Sequence, residues 1–241
     1  MKIKTIGTGS ISADERSACT LIDEKILIDC GNGITKTLLQ MGIDLGKIDI
    51  LLITHLHGDH FFDIPFLILT KAHRNIKNKL YIYCPIGTIN KVKDLLNIGF
   101  NNLTLEEICK NSNTEFIEFD NLEKEVIDNY YVKSYKVVHG SVLYPYGYTI
   151  TKDNKTIGIS GDSTYCDSID KIVSSSDISI LDMSRKEENK AHMGISEIKK
   201  IILKYNKKVI ATHIQEDTRK IVKNLNIESL IIPNDGDEFE I

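Results

Sequence analysis

The segment THLHGDH places three histidines and one aspartate within seven residues. Imidazole nitrogens and carboxylate oxygens are side-chain ligands for Zn²⁺ and related cations. In an extended chain His55 and His57 point the same way, because side chains alternate with a period of two. Gly58 is expected to allow a sharp bend that redirects Asp59 and His60. The segment therefore predicts ligands for two adjacent metal ions.

Further candidate ligands follow strand-like segments elsewhere in the chain. His139, Asp162 and His213 each lie where such a segment ends, and short loops at strand ends are where functional residues concentrate. Because a tetrahedral or five-coordinate metal needs more than two protein ligands, His139 is expected to complete one site and His213 the other. The carboxylate of Asp162 is suited to bridge two metals about 3.5–4 Å apart that share a water or hydroxide.

The elements that position these residues are short strands interleaved with helices. Strands are predicted at 2–7, 18–22, 25–30, 48–54, 80–84, 114–119, 129–140, 146–151, 155–162, 178–183, 207–213, 228–233 and 237–241. Helices are predicted at 32–42, 61–74, 88–100, 196–206 and 217–225. Several strands come first along the chain, helices then lie between strands, and this pattern recurs. Such an order favours layers of helix, sheet, sheet and helix. Without repeats or a low-complexity linker, residues 1–241 are expected to form a single domain.

Composition excludes several classes of protein. A net charge of −4 offers no strong field for nucleic acid or acidic membranes. No apolar run approaches the roughly 20 residues that span a bilayer, so no membrane partner is expected. The five cysteines include no C-x-x-C pair, and the first residues lack the apolar core of a signal peptide. Reduced thiols and a cytoplasmic location are expected.

THLHGDH followed by a later His, Asp and His resembles the metallo-β-lactamase superfamily, over almost the whole chain. The segments in family order are IGTG at 6–9, LIDCGNG at 27–33, GISGDSTYCDS at 158–168, KAHMG at 190–194 and ATH at 211–213. They are most similar to the ribonuclease Z and cyclic phosphodiesterase branch. The resemblance implies an α+β fold, an αββα four-layer sandwich of two mixed β-sheets flanked by helices.

The resemblance also implies a ligand set for two divalent metals. The first metal would be bound by His55, His57 and His139, the second by Asp59, His60 and His213, and Asp162 would bridge them. Asp29 would orient the ligand loop without binding a metal itself. Zn²⁺ is expected for a histidine-rich site, with Mn²⁺ and Fe²⁺ as alternatives where aspartate contributes.

Catalysis beyond the metals would involve His192. By resemblance, this histidine lies beside the substrate phosphate as a proton donor or charge stabiliser. In ribonuclease Z a glutamate after the preceding strand pairs with it; here the stretch is ILDMS, so the shorter Asp182 would take that part. Asp59, Asp182 and His192 are thus the expected catalytic residues. The plain alternatives are a helix-start residue for His192 and an ordinary strand-end residue for Asp182.

The resulting hypothesis is a dinuclear-metal-dependent hydrolase. It would be a phosphodiesterase that cleaves a small or cyclic phosphodiester or a short nucleic acid through a metal-bridging hydroxide. The interval between His139 and Asp162 holds only two strands and a turn, which leaves no room for the tRNA-gripping arm of bacterial ribonuclease Z. The first alternative is an arm-less ribonuclease Z-type tRNA 3′-end endonuclease.

Three other functions agree less well with the same residues. A non-catalytic metal-binding or sensor protein of this fold is disfavoured by the complete ligand set. A class B β-lactamase carries cysteine or another residue at the place of Asp162. A thioester hydrolase of the glyoxalase II kind shares the ligands, but its other segments are less similar. Related phosphodiesterases are often dimers, so a homodimer is one expected state.

Other conspicuous residues have structural interpretations. Tyr144, Tyr146 and Tyr148 either line a pocket or share one face of a sheet, because their spacing is that of a strand. His73 is expected on the surface of a helix, and Cys166 as a small buried residue.

Overall fold

Two seven-stranded β-sheets form the interior of the computed structural model, which describes all 241 residues. The first sheet has the order β14-β1-β2-β3-β4-β5-β6 and contains β1 (Lys2–Gly7), β2 (Cys19–Ile22), β3 (Ile26–Ile28), β4 (Ile50–Leu52), β5 (Leu80–Pro85), β6 (Thr114–Phe119) and β14 (Glu238–Glu240). The second has the order β13-β12-β11-β10-β9-β8-β7 and contains β7 (Glu123–Ile127), β8 (Tyr130–Lys136), β9 (Tyr146–Lys152), β10 (Lys155–Ile159), β11 (Ile178–Asp182), β12 (Lys208–Thr212) and β13 (Leu230–Ile231). Both sheets combine antiparallel and parallel pairs.

Eight α-helices cover the sheets. They are α1 (Ile34–Gln40), α2 (Gly58–Phe61), α3 (Ile64–His73), α4 (Thr88–Gly99), α5 (Leu105–Ser112), α6 (Asp167–Ser175), α7 (Ile195–Tyr205) and α8 (Glu216–Val222), with one 3₁₀ turn at Leu45–Lys47. Separate apolar cores lie between the first sheet and α1 to α5, between the two sheets, and between the second sheet and α6 to α8. Three cores require four layers, which confirms the predicted αββα sandwich. No helix has the length and apolar character needed to span a bilayer.

Local sequence explains the first hairpin and helix. Asp23 and Glu24, between β2 and β3, both have left-handed backbones with φ of 49° and 58°. Two such residues make the tight turn whose twist matches antiparallel strands, as predicted. Gly42, with φ of 70°, follows the end of α1, where glycine adopts this conformation without a steric penalty.

The prediction differs from the structure in several elements. The helix predicted at 61–74 is α3, which begins later, at Ile64, because Pro65 in its first turn lacks an N–H and its ring blocks continuation of the preceding turn. The elements α5, β7 and α6 were not predicted. The Thr104 hydroxyl accepts a hydrogen bond from Glu107 N at 3.3 Å and so caps α5.

The strand directions bring the candidate residues to one edge. β8 and β10 both run antiparallel to β9, so they share a direction, and β11 and β12 run parallel to β10. The carboxyl ends of these four strands therefore lie along one edge of the second sheet. The loop after β4 brings the THLHGDH residues of the first sheet to the same place.

Candidate metal centre

The ligand loop leads from β4 directly into α2. His55, Asp59 and His60 are buried, whereas His57 is exposed. The extended chain bends at His57 and enters a helical turn at Gly58, as expected, although Gly58 itself has no positive φ. A Cβ at this position would lie 2.7 Å from the ring of Phe62, so a larger residue would require that ring to move.

Three histidine nitrogens form the first set. His57 Nδ1 lies 3.1 Å from His55 Nε2 and also 3.1 Å from His139 Nε2. Metal–nitrogen bonds of about 2.0–2.1 Å place neighbouring tetrahedral ligands roughly 3.3 Å apart. The spacing of these nitrogens therefore suits one cation.

Asp59, His60 and His213 form the second set. Asp59 Oδ2 is 3.3 Å from His213 Nε2 and 3.7 Å from His60 Nε2. The Nε2 atom of His60 is buried and has no hydrogen-bond partner. A buried polar atom without a partner costs free energy, and a cation bound at this position would remove that cost.

Asp162 lies between the two sets. Its Oδ2 atom is 3.3 Å from His213 Nε2, 3.4 Å from His60 Nε2, and 3.8 Å from both His55 Nε2 and His139 Nε2. A single carboxylate oxygen thus faces nitrogens of both sets. This is the position that a bridging ligand needs, so the donor set fits two metal ions.

Hydrogen bonds behind the ligands fix which nitrogen faces the centre. Asp29 Oδ2 lies 2.8 Å from His60 Nδ1, and both oxygens of Asp29 accept from Thr54. The Thr54 hydroxyl in turn contacts His55 Nδ1 at 3.0 Å, and His139 Nδ1 donates to the carbonyl of Ala191 at 2.7 Å. Such contacts orient metal-binding histidines. Asp29 takes the place expected of it, whereas Thr54, the hydroxyl residue directly before the first histidine, was not predicted.

Burial and neighbouring charges give the groups different pKa values. Burial lowers the pKa of His55 well below its usual value, and a neutral imidazole is the form that binds metals. Burial opposes ionisation of Asp162, but His213 and His60 outweigh it and hold the pKa of Asp162 well below its usual range. Burial lowers the pKa of His60, but the carboxylates of Asp162 and Asp29 outweigh burial and raise this pKa well above its usual value. The centre therefore attracts positive charge.

His192 and Asp182 lie in contact beside the centre. His192 Nδ1 is 2.8 Å from Asp182 Oδ2, so the shorter aspartate still reaches the histidine. Asp182 is fully buried and also accepts hydrogen bonds from Ser163 N and Ser184 N at 3.1 and 2.9 Å. The ring of His192 stacks on that of His213, with centroids 5.1 Å apart. This arrangement leaves His192 Nε2 free of protein partners.

The remaining conspicuous residues lie elsewhere. Tyr146 and Tyr148 are buried between the sheets and donate to the carbonyls of Asp120 and Ile53, so they share a sheet face and do not line a pocket. Tyr144 is exposed. His73 is exposed at the end of α3, as expected.

Cys166 precedes the first residue of α6 and packs against the core beneath the second sheet. It is only partly buried, so the expectation of a buried cysteine is met only in part.

Comparisons with known proteins identify relatives of this architecture. The chain is 27% identical to ribonuclease Z of Saccharolobus solfataricus, with 94% of this chain and 92% of that protein covered. It is 32% identical to ribonuclease Z of Methanococcus maripaludis, with 58% of this chain and 46% of that protein covered.

Solved structures show the same fold. A diphosphatase of the PhnP family superimposes with a TM-score of 0.78 at 18% identity, with 100% of this chain and 97% of that chain covered. The short form of human tRNase Z gives a TM-score of 0.76 at 19% identity, with 100% and 99% covered. Residues 1–233 match the family model described as anti-Pycsar protein Apyc1. The chain therefore belongs to the anti-Pycsar protein Apyc1 family, within the ribonuclease Z-like and phosphodiesterase branch of the metallo-β-lactamase superfamily.

Proposed function

We propose that this chain is a metal-dependent hydrolase of phosphodiesters and that residues 1–241 act as a single catalytic domain. The observation that carries the proposal is the position of Asp162, whose Oδ2 atom lies within 3.8 Å of four histidine nitrogens drawn from both sets. Paired cations that share one bridging carboxylate are typical of enzymes that cleave phosphate esters. The ribonuclease Z relatives support the same reaction class.

The metals are assigned to the residues as the geometry groups them. His55, His57 and His139 would hold the first ion, Asp59, His60 and His213 the second, and Asp162 both. Zn²⁺ suits this histidine-rich set best, and Mn²⁺ or Fe²⁺ suits the carboxylates. When bound, the two ions supply an activated water and neutralise charge on the phosphate oxygens.

Side chains of the protein are proposed to carry out proton transfer. His192 is oriented by Asp182 so that Nε2 is available to protonate the leaving oxygen, which is the role of a general acid. Asp182 is buried and holds its position through two backbone N–H groups. Asp59 remains ionised beside the second metal: burial opposes its charge, but His213 and His60 outweigh this and lower the pKa of Asp59.

The substrate is proposed to be a small or cyclic phosphodiester or a short nucleic acid. The residues between His139 and Asp162 form only the β9–β10 hairpin and its flanking loops, so no arm projects to grip a tRNA. The net charge of −4 provides little of the positive footprint that long nucleic acids require. An arm-less tRNA 3′-end endonuclease is the second candidate, favoured by the ribonuclease Z relatives.

A substrate panel with the metal-reconstituted protein tests the proposal. The panel contains bis-(p-nitrophenyl) phosphate, cyclic nucleotides, a tRNA precursor, a β-lactam and a thioester. We expect turnover of the small diesters. Preferred cleavage of the precursor at its 3′ end would favour the second candidate. Bound metal without turnover of any substrate would favour a non-catalytic metal-binding protein.

Two further properties are proposed for the chain in the cell. All five cysteines are free thiols, which supports a reducing compartment such as the cytoplasm. A homodimer is proposed because related phosphodiesterases often dimerise. Sedimentation equilibrium at micromolar concentration distinguishes a dimer from a 27.2 kDa monomer.

A further inference from the structure

His213 is held differently from three other histidines of the centre. The Nδ1 atoms of His55, His60 and His139 have hydrogen-bond partners at 3.0, 2.8 and 2.7 Å, respectively. The buried Nδ1 atom of His213 has none, and Asp182 Oδ1 is 3.9 Å away. A partner on this nitrogen normally fixes the orientation of a metal-binding ring. The orientation of His213 therefore depends on its backbone.

The backbone of His213 has a conformation that neighbouring residues must maintain. Its φ is 54°, in the left-handed region that side chains with a Cβ adopt only when the surrounding structure enforces it. The next residue, Ile214, donates its N–H to Thr8 O at 3.0 Å and accepts from Ser10 N at 3.3 Å. The loop after β1 thus fixes the turn that aims His213 at the centre.

Arg219, on α8, forms hydrogen bonds with that loop. The side chain is only 2% exposed. Its Nη2 donates to Thr8 Oγ1 at 2.8 Å and to Thr8 O at 3.4 Å, and its Nη1 donates to Pro233 O at 2.9 Å. Its Nε forms an ion pair with Glu15 Oε1 at 2.9 Å but makes no hydrogen bond. Thr8 donates in turn, from N and from Oγ1, to Asp235 Oδ1 at 2.9 Å. One buried guanidinium therefore joins α8, the loop after β1 and the segment before β14.

We infer that Arg219 is a positioning residue for His213 and, through it, for the metal held by Asp59, His60 and His213. The inference rests on the proposed two-metal function. Arg219 contacts no member of either ligand set; it acts through Thr8, whose carbonyl receives the N–H of Ile214. A buried guanidinium is costly unless it is paired. Here its Nη2 group pairs with the loop that supports His213, the one buried histidine of the centre whose Nδ1 has no hydrogen-bond partner.

The test compares metal binding by wild type, Arg219→Gln and a matched control. Lys220→Met alters the next residue of α8, whose side chain is 73% exposed and pairs with Glu216. Calorimetric titration with Zn²⁺ and the visible spectrum of the Co²⁺-loaded protein are recorded at a temperature where circular dichroism shows all variants folded. Wild type and Lys220→Met should bind two ions. Arg219→Gln should keep one ion and bind the second about 10–100-fold more weakly, with an altered Co²⁺ spectrum.

The outcomes separate this inference from the proposed function. If folded Arg219→Gln binds both ions with wild-type affinity and spectrum, Arg219 only stabilises the fold and the inference is wrong. If wild type binds fewer than two ions, the proposed function itself fails. Should Arg219→Gln not fold, Arg219→Met replaces it, because an apolar side chain of similar length removes both contacts with Thr8 and buries no polar group of its own. Two tightly bound ions in Arg219→Met would then overturn the inference.

Discussion

Replacement of His192 by alanine should separate proton transfer from metal binding. His192 Nδ1 is occupied by Asp182 at 2.8 Å and lies 3.9 Å from Asp162 Oδ2, so the ring is placed beside the metal sets and outside them. His192→Ala should therefore leave the metal content unchanged. Loss of a general acid lowers kcat by about 10²–10⁴-fold, which corresponds to roughly 3–5 kcal/mol of activation free energy.

The assay is a series of phosphodiesters with leaving groups of increasing basicity. The defect of His192→Ala should be small for p-nitrophenolate, which needs little protonation, and large for alkoxide leaving groups. Asp182→Asn is the matched variant, because it keeps the histidine and removes the charge behind it. A charge-assisted hydrogen bond contributes roughly 1.5–3 kcal/mol, so this variant should lose about 10–100-fold in kcat.

The pH profile gives an independent readout. Burial lowers the pKa of His192, but the hydrogen bond and charge of Asp182 outweigh it, and the pKa is raised above its usual value. The acid form is present below that pKa, so activity should fall as pH rises through it. In Asp182→Asn this alkaline limb should move to lower pH. Loss of metal from His192→Ala would make His192 a ligand, and unchanged activity would leave it as a helix-start residue.

Three further predictions follow from buried groups. Asp162→Ala should abolish phosphodiesterase activity while the circular dichroism spectrum persists, and near-wild-type turnover would remove Asp162 from the centre. Protein purified without chelator should contain about two transition-metal ions per chain by elemental analysis; a protein that takes up none on reconstitution would contradict the ligand sets. Burial lowers the pKa of Lys71 from 10.5 to about 8. Between pH 8 and pH 10.5 the unfolded state therefore binds more protons than the folded state. Relative to Lys71→Met, the free energy of unfolding of wild type should rise by about 3 kcal/mol from pH 8 to 10.5, and parallel pH profiles in urea titrations would refute this.

The features that could be predicted from sequence are local ones. The alternating histidines of THLHGDH, directly after an apolar strand, predicted the ligand loop. The structure brings the three histidines and Asp59 of this loop together. The layer order also followed from the succession of apolar strands and helices. These signals are contained in a few consecutive residues, so no distant pairing had to be known.

The missed features depend on pairing across the chain. β7, with the sequence EKEVI, is a largely exposed edge strand, and only its pairing with β8 makes it a strand. The meeting of His139 with Asp162 requires β8 and β10 to run in the same direction, which the intervening β9 determines. The close approach of the Phe62 ring to Gly58 is a contact that composition does not reveal. The helix α5 was predictable, since Thr104 and Glu107 have the spacing of a capping box.

The division of the ligands between the two sheets has a consequence for folding. His55, His57, Asp59 and His60 follow a strand of the first sheet, whereas His139, Asp162 and His213 follow strands of the second. Each bound ion would therefore cross-link the sheets across the core between them. Ion binding to the native state alone adds about 2.7 kcal/mol of stability at a free concentration of 100 times Kd. The stability of the contact between the two sheets would thus depend on the free metal concentration. A chelator would weaken this contact before it altered either sheet.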